Sequence, residues 1–321
     1  MTSGISDVRS MDVLRRRTLP NGMEIAFQSP SEVGFFYEDV FEKEIYLRHG
    51  VTIKDGDCIF DVGANIGFFT LFVHHKCKPA AVYAFEPAPP LFRLLCANAE
   101  RYGPHARLFN CGLSNESKTA GFTFYPNSSG MSSFYGNKAE EKEALHSIML
   151  NQWRSGAAEM EHVLRHADDL LEERFTSEFF ECRLRTLSEI INEQQVTRID
   201  LLKIDVQKSE LDVLSGIASG DWEKIMQIVL EVHDIDGRLE AVKGLLSRHG
   251  FNVAVEQDEM YEHSILYNLY ATRRSTLLAL DSDSLTAPQQ VHSFSQIHAR
   301  ARRQEQVLNR KRQSIRKRTG E

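Results

Sequence analysis

The chain has 321 residues, 42% hydrophobic and 26% charged, with a formal net charge of −7. That is enough for one large domain with extensions or two small ones. No apolar run approaches the roughly 20 residues that span a bilayer, and the N-terminus lacks a signal-peptide core, so a cytoplasmic protein without a membrane partner is expected.

Residues 1–57 read as a lead-in of short elements, with helical apolar spacing over Phe35–Gly50 and Gly50 as a C-cap. From Cys58 strands and helices alternate. "CIFDV" is a buried strand, followed by a helix from about Ile66 to Lys76. "AVYAFEP" is a second strand, followed by the helix "PLFRLLCANAERYG". "ARLFNCGLS" is a third strand and "GFTFYP" an added hairpin strand. Residues 126–181 break the rhythm with a polar insertion, helical around Ala139–Leu150 and Ala157–Glu173. The alternation resumes with "CRLRTLSEIINEQQ", the strand "IDLLKIDV", the helix "SELDVLSGI" and the strand "IMQIVLEVH". The helix "RLEAVKGLLSRHG" and the strands "FNVAVEQ" and "ILYNLYATR" complete a domain over 58–273. This order predicts an α/β fold: a doubly wound, mostly parallel sheet with an antiparallel edge hairpin and a lid-like insertion.

Beyond it, 274–297 reads as a linker and the remainder of 274–321 as a basic tail. His298–Glu321 holds nine Lys/Arg against two acidic residues, an excess of seven, which leaves −14 on the rest of a chain whose total is −7. The five cysteines (Cys58, Cys77, Cys96, Cys111, Cys182) form no C-x-x-C pair; they read as reduced structural thiols and argue against zinc.

The stretch "IFDVGANIGFFT" (Ile59–Thr70) carries the first chemistry. A strand ends at Asp61, and Gly63 and Gly67 bracket a turn into a helix, at the end of a parallel strand where α/β sheets bind ligands. The spacing is G-x-x-x-G rather than the G-x-G-x-x-G that admits a dinucleotide pyrophosphate. Asp61 would repel phosphates but suit the cationic cofactor S-adenosylmethionine (SAM). Taken alone, Asp61 has an ordinary reading as a helix N-cap, which both glycines and Glu86 in register weaken. Glu86 ends the next strand, 19 residues after Gly67, where a carboxylate can bind ribose hydroxyls. Asn110 ends the third, as an adenine contact or a turn residue.

"FDVGANIGFFTL", "AFEPAPPLF", "NCGLS", "LLKIDVQKSELDVLSGI" and "IVLEVHD" together resemble the FkbM-like family of SAM-dependent methyltransferases, over roughly residues 35–273. The resemblance implies a class I methyltransferase (Rossmann-like) fold and methylation of a hydroxyl oxygen. It is similar in detail to the oxygen-methylating domains and partners of polyketide and nonribosomal-peptide assembly lines. It carries Asp61, Gly63, Asn65 and Gly67 over as the first SAM motif and Glu86 as the ribose residue. Many family members have Glu-Gly where this chain has Gln207–Lys208, so that loop is not transferred.

Methyl transfer from a sulfonium requires in-line alignment and an acceptor for the hydroxyl proton. Lys203, Asp205 and Glu231 interrupt strands that should be apolar on both faces, and burial of such groups is costly unless they are paired or functional. His233 is the expected general base, with Glu231 orienting its ring and Asp205 facing the cofactor or the substrate hydroxyl. Asp234 and His263 are further polar candidates beyond these strands, and a metal version of the site would use Asp205, Glu231 and Asp234 to hold Mg²⁺. A structural charge network is the non-catalytic reading of the same residues. The insertion would cover the substrate, "SSGMSSFYG" (Ser128–Gly136) meeting an apolar acyl chain; the alternative is a surface loop without substrate contact.

The expected activity is O-methylation of a polyketide or peptide–polyketide intermediate, tethered to a carrier protein or as a free sugar or macrolide hydroxyl. A catalytically silent docking module is the competing class. The basic tail would attract an acidic carrier protein, or stay solvated and disordered. An acidic body without an aromatic-studded basic surface argues against nucleic acid.

Overall fold

The computed structural model describes residues 14–78, 80–154, 164, 166–262 and 264–273. Strands β1 (Arg16–Thr18) and β2 (Glu24–Ala26) form a small antiparallel hairpin. Helix α1 (Pro30–Tyr37) follows and runs into a π-turn over Glu38–Glu42. The helix predicted over Phe35–Gly50 therefore starts earlier, with Pro at its first turn, and stops sooner. Lys43 donates its amide to Glu38 O at 2.8 Å, and Glu44 turns to a positive φ of 46°, which ends the helix. Gly50 (φ 88°) serves an isolated turn instead of a C-cap.

Next come β3 (Cys58–Val62), α2 (Phe68–Lys76), β4 (Ala81–Phe85), α3 (Pro89–Tyr102) and β5 (Arg107–Phe109). The predicted third strand is split, because its second half, β6 (Gly112–Leu113), leaves for a second sheet. There β6 and β7 (Lys118–Phe124) flank β8 (Glu178–Arg185), with β7 and β8 antiparallel. The insertion is thus the connection between two paired strands, and its last residues, from Glu178, are strand. It contains α4 (Lys138–Arg154) and α5 (Ala167–Arg174). The first part of the helix predicted over Ala157–Glu173 lies outside the described residues.

The chain returns to the main sheet through α6 (Leu187–Glu193), β9 (Leu201–Ile204), α7 (Glu210–Ser215), β10 (Gln227–His233), α8 (Arg238–Arg248), β11 (Phe251–Glu256) and β12 (Leu266–Arg273). The seven-stranded order is β11-β12-β10-β9-β3-β4-β5. Strands β5, β4, β3, β9 and β10 are parallel, and β12 inserts antiparallel between β10 and β11. The expected antiparallel hairpin is present, with β11 at the edge.

Side chains alternate across this sheet with a period of two. Ile59, Leu201 and Val229 pack with α2, α3 and the lead-in, while Phe60, Leu202, Ile228 and Leu230 pack with α6, α7 and α8. Two buried faces explain why the central strands read as near-continuous apolar runs. The lead-in is bound to the core through buried Asn98 of α3. Its amide donates to Ala26 O at 3.0 Å and Ile66 O at 2.8 Å and accepts from Ala26 N at 2.6 Å. Cys77, Cys111 and Cys182 are buried and all five thiols are free, as a structural role requires.

Candidate active site

The carboxyl ends of β3, β4, β9 and β10 open into a cavity of about 870 Å³, near the top of the ~300–1,000 Å³ range of ligand pockets. Gly63, Asn65, Glu86, Asp205, Glu231 and His233 all line it. The turn after β3 owes its shape to neighbours as much as to a ligand. A side chain on Gly63 (φ 77°) would lie 1.8 Å from Asp205 O, and one on Gly67 (φ 99°) 2.8 Å from Leu95 of α3. Gly67 thus serves helix–helix packing rather than the helix–strand contact its spacing suggests.

Glu86 is buried, and its two oxygens accept the amides of Asn65 at 2.9 Å and Ala88 at 2.8 Å. Each oxygen keeps a lone pair for a second donor, as binding a ribose diol demands. Burial pushes its pKa up to about 7, against the pull of those amides.

Two expectations for the cofactor end need correction. Asp61 does not face the cavity. It is fully buried, accepts from Thr70 Oγ1 at 2.7 Å, and its other oxygen lies 3.1 Å from Lys203 Nζ, off the axis of a hydrogen bond. It is neither an N-cap nor a direct partner for a cationic ligand; the lysine directly across the sheet register already compensates it. Lys203 also donates to Gly63 O at 2.8 Å, which ties the turn to β9. Burial works against its charge, but Asp61 and Asp205 outweigh burial and raise its pKa. Asn110 is exposed and does not line the cavity; its amide holds Glu86 O at 2.9 Å and Pro87 O at 3.1 Å. It shapes the loop carrying Glu86 rather than presenting its amide to the cavity.

At the far strands Asp205 accepts from Tyr46 Oη at 2.8 Å, and Glu231 accepts from Gln207 Nε2 at 2.9 Å. Burial, reinforced by Asp205, pushes the pKa of Glu231 up. His233 is buried, and its orienting partner is Glu210 rather than Glu231: Nδ1 lies 2.7 Å from Glu210 Oε1. Arg238 holds the second oxygen of Glu210 at 2.9 Å, and the Lys208 amide reaches Oε1 at 2.9 Å. The pKa of Glu210 would rise on burial, but His233 and Arg238 keep it low. Burial lowers and Glu210 raises the pKa of His233, and the carboxylate wins. Nε2 makes no hydrogen bond among the described residues, and His233 lines the cavity. Glu210 was missed because an acid in the first turn of a helix is an ordinary capping preference; only the fold brings it under His233.

The carboxylates of the Mg²⁺ alternative do not assemble. Asp234 Oδ1 caps α8 through the Leu239 amide at 3.1 Å, and no cluster of metal-ligating residues occurs among the described residues. His263 lies outside them.

The insertion contributes lining to the cavity, through Ser128–Ser132, Phe134, Leu145 and Ser147–Met149. Ser133 Oγ donates to Gln207 O, and Lys208 Nζ reaches Glu140 and Glu141 at the start of α4, each at 2.8 Å. The tail and linker, 274–321, lie outside the described residues. Among those described, no helix is long and apolar enough to cross a membrane.

Residues 61–253, from the first turn to β11, match the methyltransferase FkbM domain. The chain is 41% identical over 262 residues to the 31-O-demethyl-FK506 methyltransferase FkbM of Streptomyces tacrolimicus, covering 82% of this chain and 98% of that one. It is 40% identical over 262 residues to the AMB antimetabolite synthetase AmbE of Pseudomonas aeruginosa, covering 79% of this chain but 12% of that much longer one. Similarity to Methyltransferase 1 of Beauveria bassiana is 33%, over 75% of this chain and 90% of the other. With a Gly-turn, a ribose-competent Glu86 and a parallel sheet opening on one cavity, this chain belongs to the FkbM family of SAM-dependent methyltransferases.

Proposed function

We propose that the enzyme methylates a hydroxyl oxygen of a polyketide or peptide–polyketide intermediate, with His233 as general base. The observation that carries this reading is the Glu210–His233 pair, 2.7 Å apart at Nδ1, on a histidine that lines the cavity. When bound, SAM supplies a methyl group on a sulfonium. His233 Nε2 accepts the hydroxyl proton as the oxygen becomes nucleophilic. Glu210 keeps the tautomer with the proton on Nδ1 and stabilises the imidazolium that forms, while Arg238 holds Glu210. Asp205, fixed by Tyr46, and Glu231, fixed by Gln207, border the acceptor position and orient its polar groups. Met131, Phe134, Ile148 and Met149 offer an apolar wall for an acyl chain. The S. tacrolimicus relative is named for an O-demethyl acceptor and the P. aeruginosa relative as an antimetabolite synthetase, which supports oxygen as the target and secondary metabolism as the setting.

The test is an intact-mass assay with SAM, a panel of hydroxyacyl-carrier proteins and the matching free acids, with and without EDTA. The expected product is carrier-bound, one methyl heavier and insensitive to EDTA. Product from free acids alone would move the acceptor to a free sugar or macrolide hydroxyl. Loss in EDTA would replace His233 with a metal. No product from any acceptor, with S-adenosylhomocysteine still bound, would favour a silent docking module.

A further inference from the structure

Glu32 lies on α1, ahead of the matched domain, and is 7% exposed. Its Oε1 accepts the Gly130 amide at 3.0 Å, and its Oε2 is buried with no hydrogen-bond partner among the described residues. Among the other buried carboxylates Asp61 is compensated by Lys203, Glu141 by Lys208, Asp200 by Arg198 and Glu210 by Arg238 and His233, while Glu86 and Asp57 are held by backbone amides. A buried carboxylate without a cation is costly, and one lining a cavity invites a cation from a ligand.

Arg174, at the end of α5, lines the same cavity and is half-buried. Its Nε donates to Ser128 Oγ at 3.2 Å; among the described residues it makes no direct contact with Glu32, although its charge reaches that carboxylate. Between them Asn65 Nδ2 donates to Ser129 Oγ at 3.1 Å. An acid and a base that line one cavity without touching are complementary to a zwitterion. SAM carries one such group, its α-amino-acid end, while its ribose has Glu86. Burial pushes the pKa of Glu32 up, partly offset by the Gly130 and Ser129 groups of the lid and by the charge of Arg174.

We propose that Glu32 and Arg174 hold the amino-acid end of the cofactor, Glu32 taking the ammonium and Arg174 the carboxylate. Resting on the SAM-dependent reading, this makes cofactor binding a closing contact between the lead-in and the lid. Ser128, Ser129 and Gly130 are already held by Arg174, Asn65 and Glu32, so a ligand bound by that trio draws the lid over the cofactor edge.

The test is calorimetric titration of the full chain and of Glu32→Gln and Arg174→Gln with two ligands. S-adenosylhomocysteine has the amino-acid end; 5′-methylthioadenosine is the same nucleoside without it. Glu32→Gln keeps the side chain's shape and an acceptor for Gly130, and melting of the ligand-free variants checks that they fold. The expected result is a loss of about tenfold or more for S-adenosylhomocysteine, with about twofold or less for methylthioadenosine. Unchanged affinity for both ligands would overturn the proposal. Equal losses for both would also overturn it, since a loosened lid weakens each alike. A wild-type chain that binds neither ligand would bring down the cofactor reading itself, a failure distinct from either.

Discussion

The two nitrogens of His233 do different work, and that division makes the base testable. Nδ1 is bound to a carboxylate that raises the basicity of the ring, so the ring is neutral only above a pKa higher than its ordinary 6.5. A base must be neutral to act, so kcat/KM should rise with pH through a limb above that value. Glu231 and Glu86 are also pushed upward by burial, so the profile alone does not identify the group. Glu210→Gln does: without the carboxylate, burial of the ring prevails, the limb moves to lower pH, and the plateau falls by about 10–100-fold. His233→Ala should lose about 10²–10⁴-fold. A limb that stays in place in Glu210→Gln would remove His233 from the base role. Sequence made His233 a candidate because it ends a strand at the ligand-binding edge. It made Glu231 the partner because two residues on one strand share a face, whereas the true partner comes from another element.

The loop after β9 carries backbone strain and docks the lid. Gln207 (φ 40°) and Lys208 (φ 71°) are consecutive non-glycine residues in the left-handed region, a conformation that must be held by its surroundings. Gln207 is held by Glu231 and Ser133, and Lys208 by Glu140 and Glu141, so the strain and the lid's docking are one structure. Glu141 is 3% exposed; Lys208→Met would strand its charge. The expected cost is about 3 kcal/mol, read as hydrogen exchange in α4 faster by roughly 10²-fold. Lys208→Met/Glu141→Gln, which removes both charges, should recover most of the loss. Exchange unaffected by Lys208→Met would show that the apolar contacts of α4 dock it without the ion pair. The insertion stood out in the sequence as a break in rhythm. That it joins β7 to β8 was hidden, because those strands are distant in sequence and pair in a separate sheet.

At the scale of the whole molecule the open question is the contrast between an acidic body and a basic C-terminal stretch. We propose that residues 298–321 attract an acidic carrier protein. Screening acts within about 10 Å at 0.1 M salt, so carrier affinity should fall steeply as salt rises, and a chain lacking 298–321 should bind weakly with little salt dependence. Affinity unchanged by the deletion would end that role for the tail.

Sequence by itself determined the sheet, its ligand-binding edge, the Gly-turn and the acid that ends β4 at that edge. These depend on local period, turn geometry and strand ends, all written in neighbouring residues. Tertiary structure alone decided which charges face the cavity. Asp61 and Lys203 cancel across a strand register, Asn110 turns to its own loop, and Glu210 and Glu32 arrive from helices distant in sequence. A side chain's charge is readable from the chain; whether it is compensated depends on partners that only folding brings within a few ångströms.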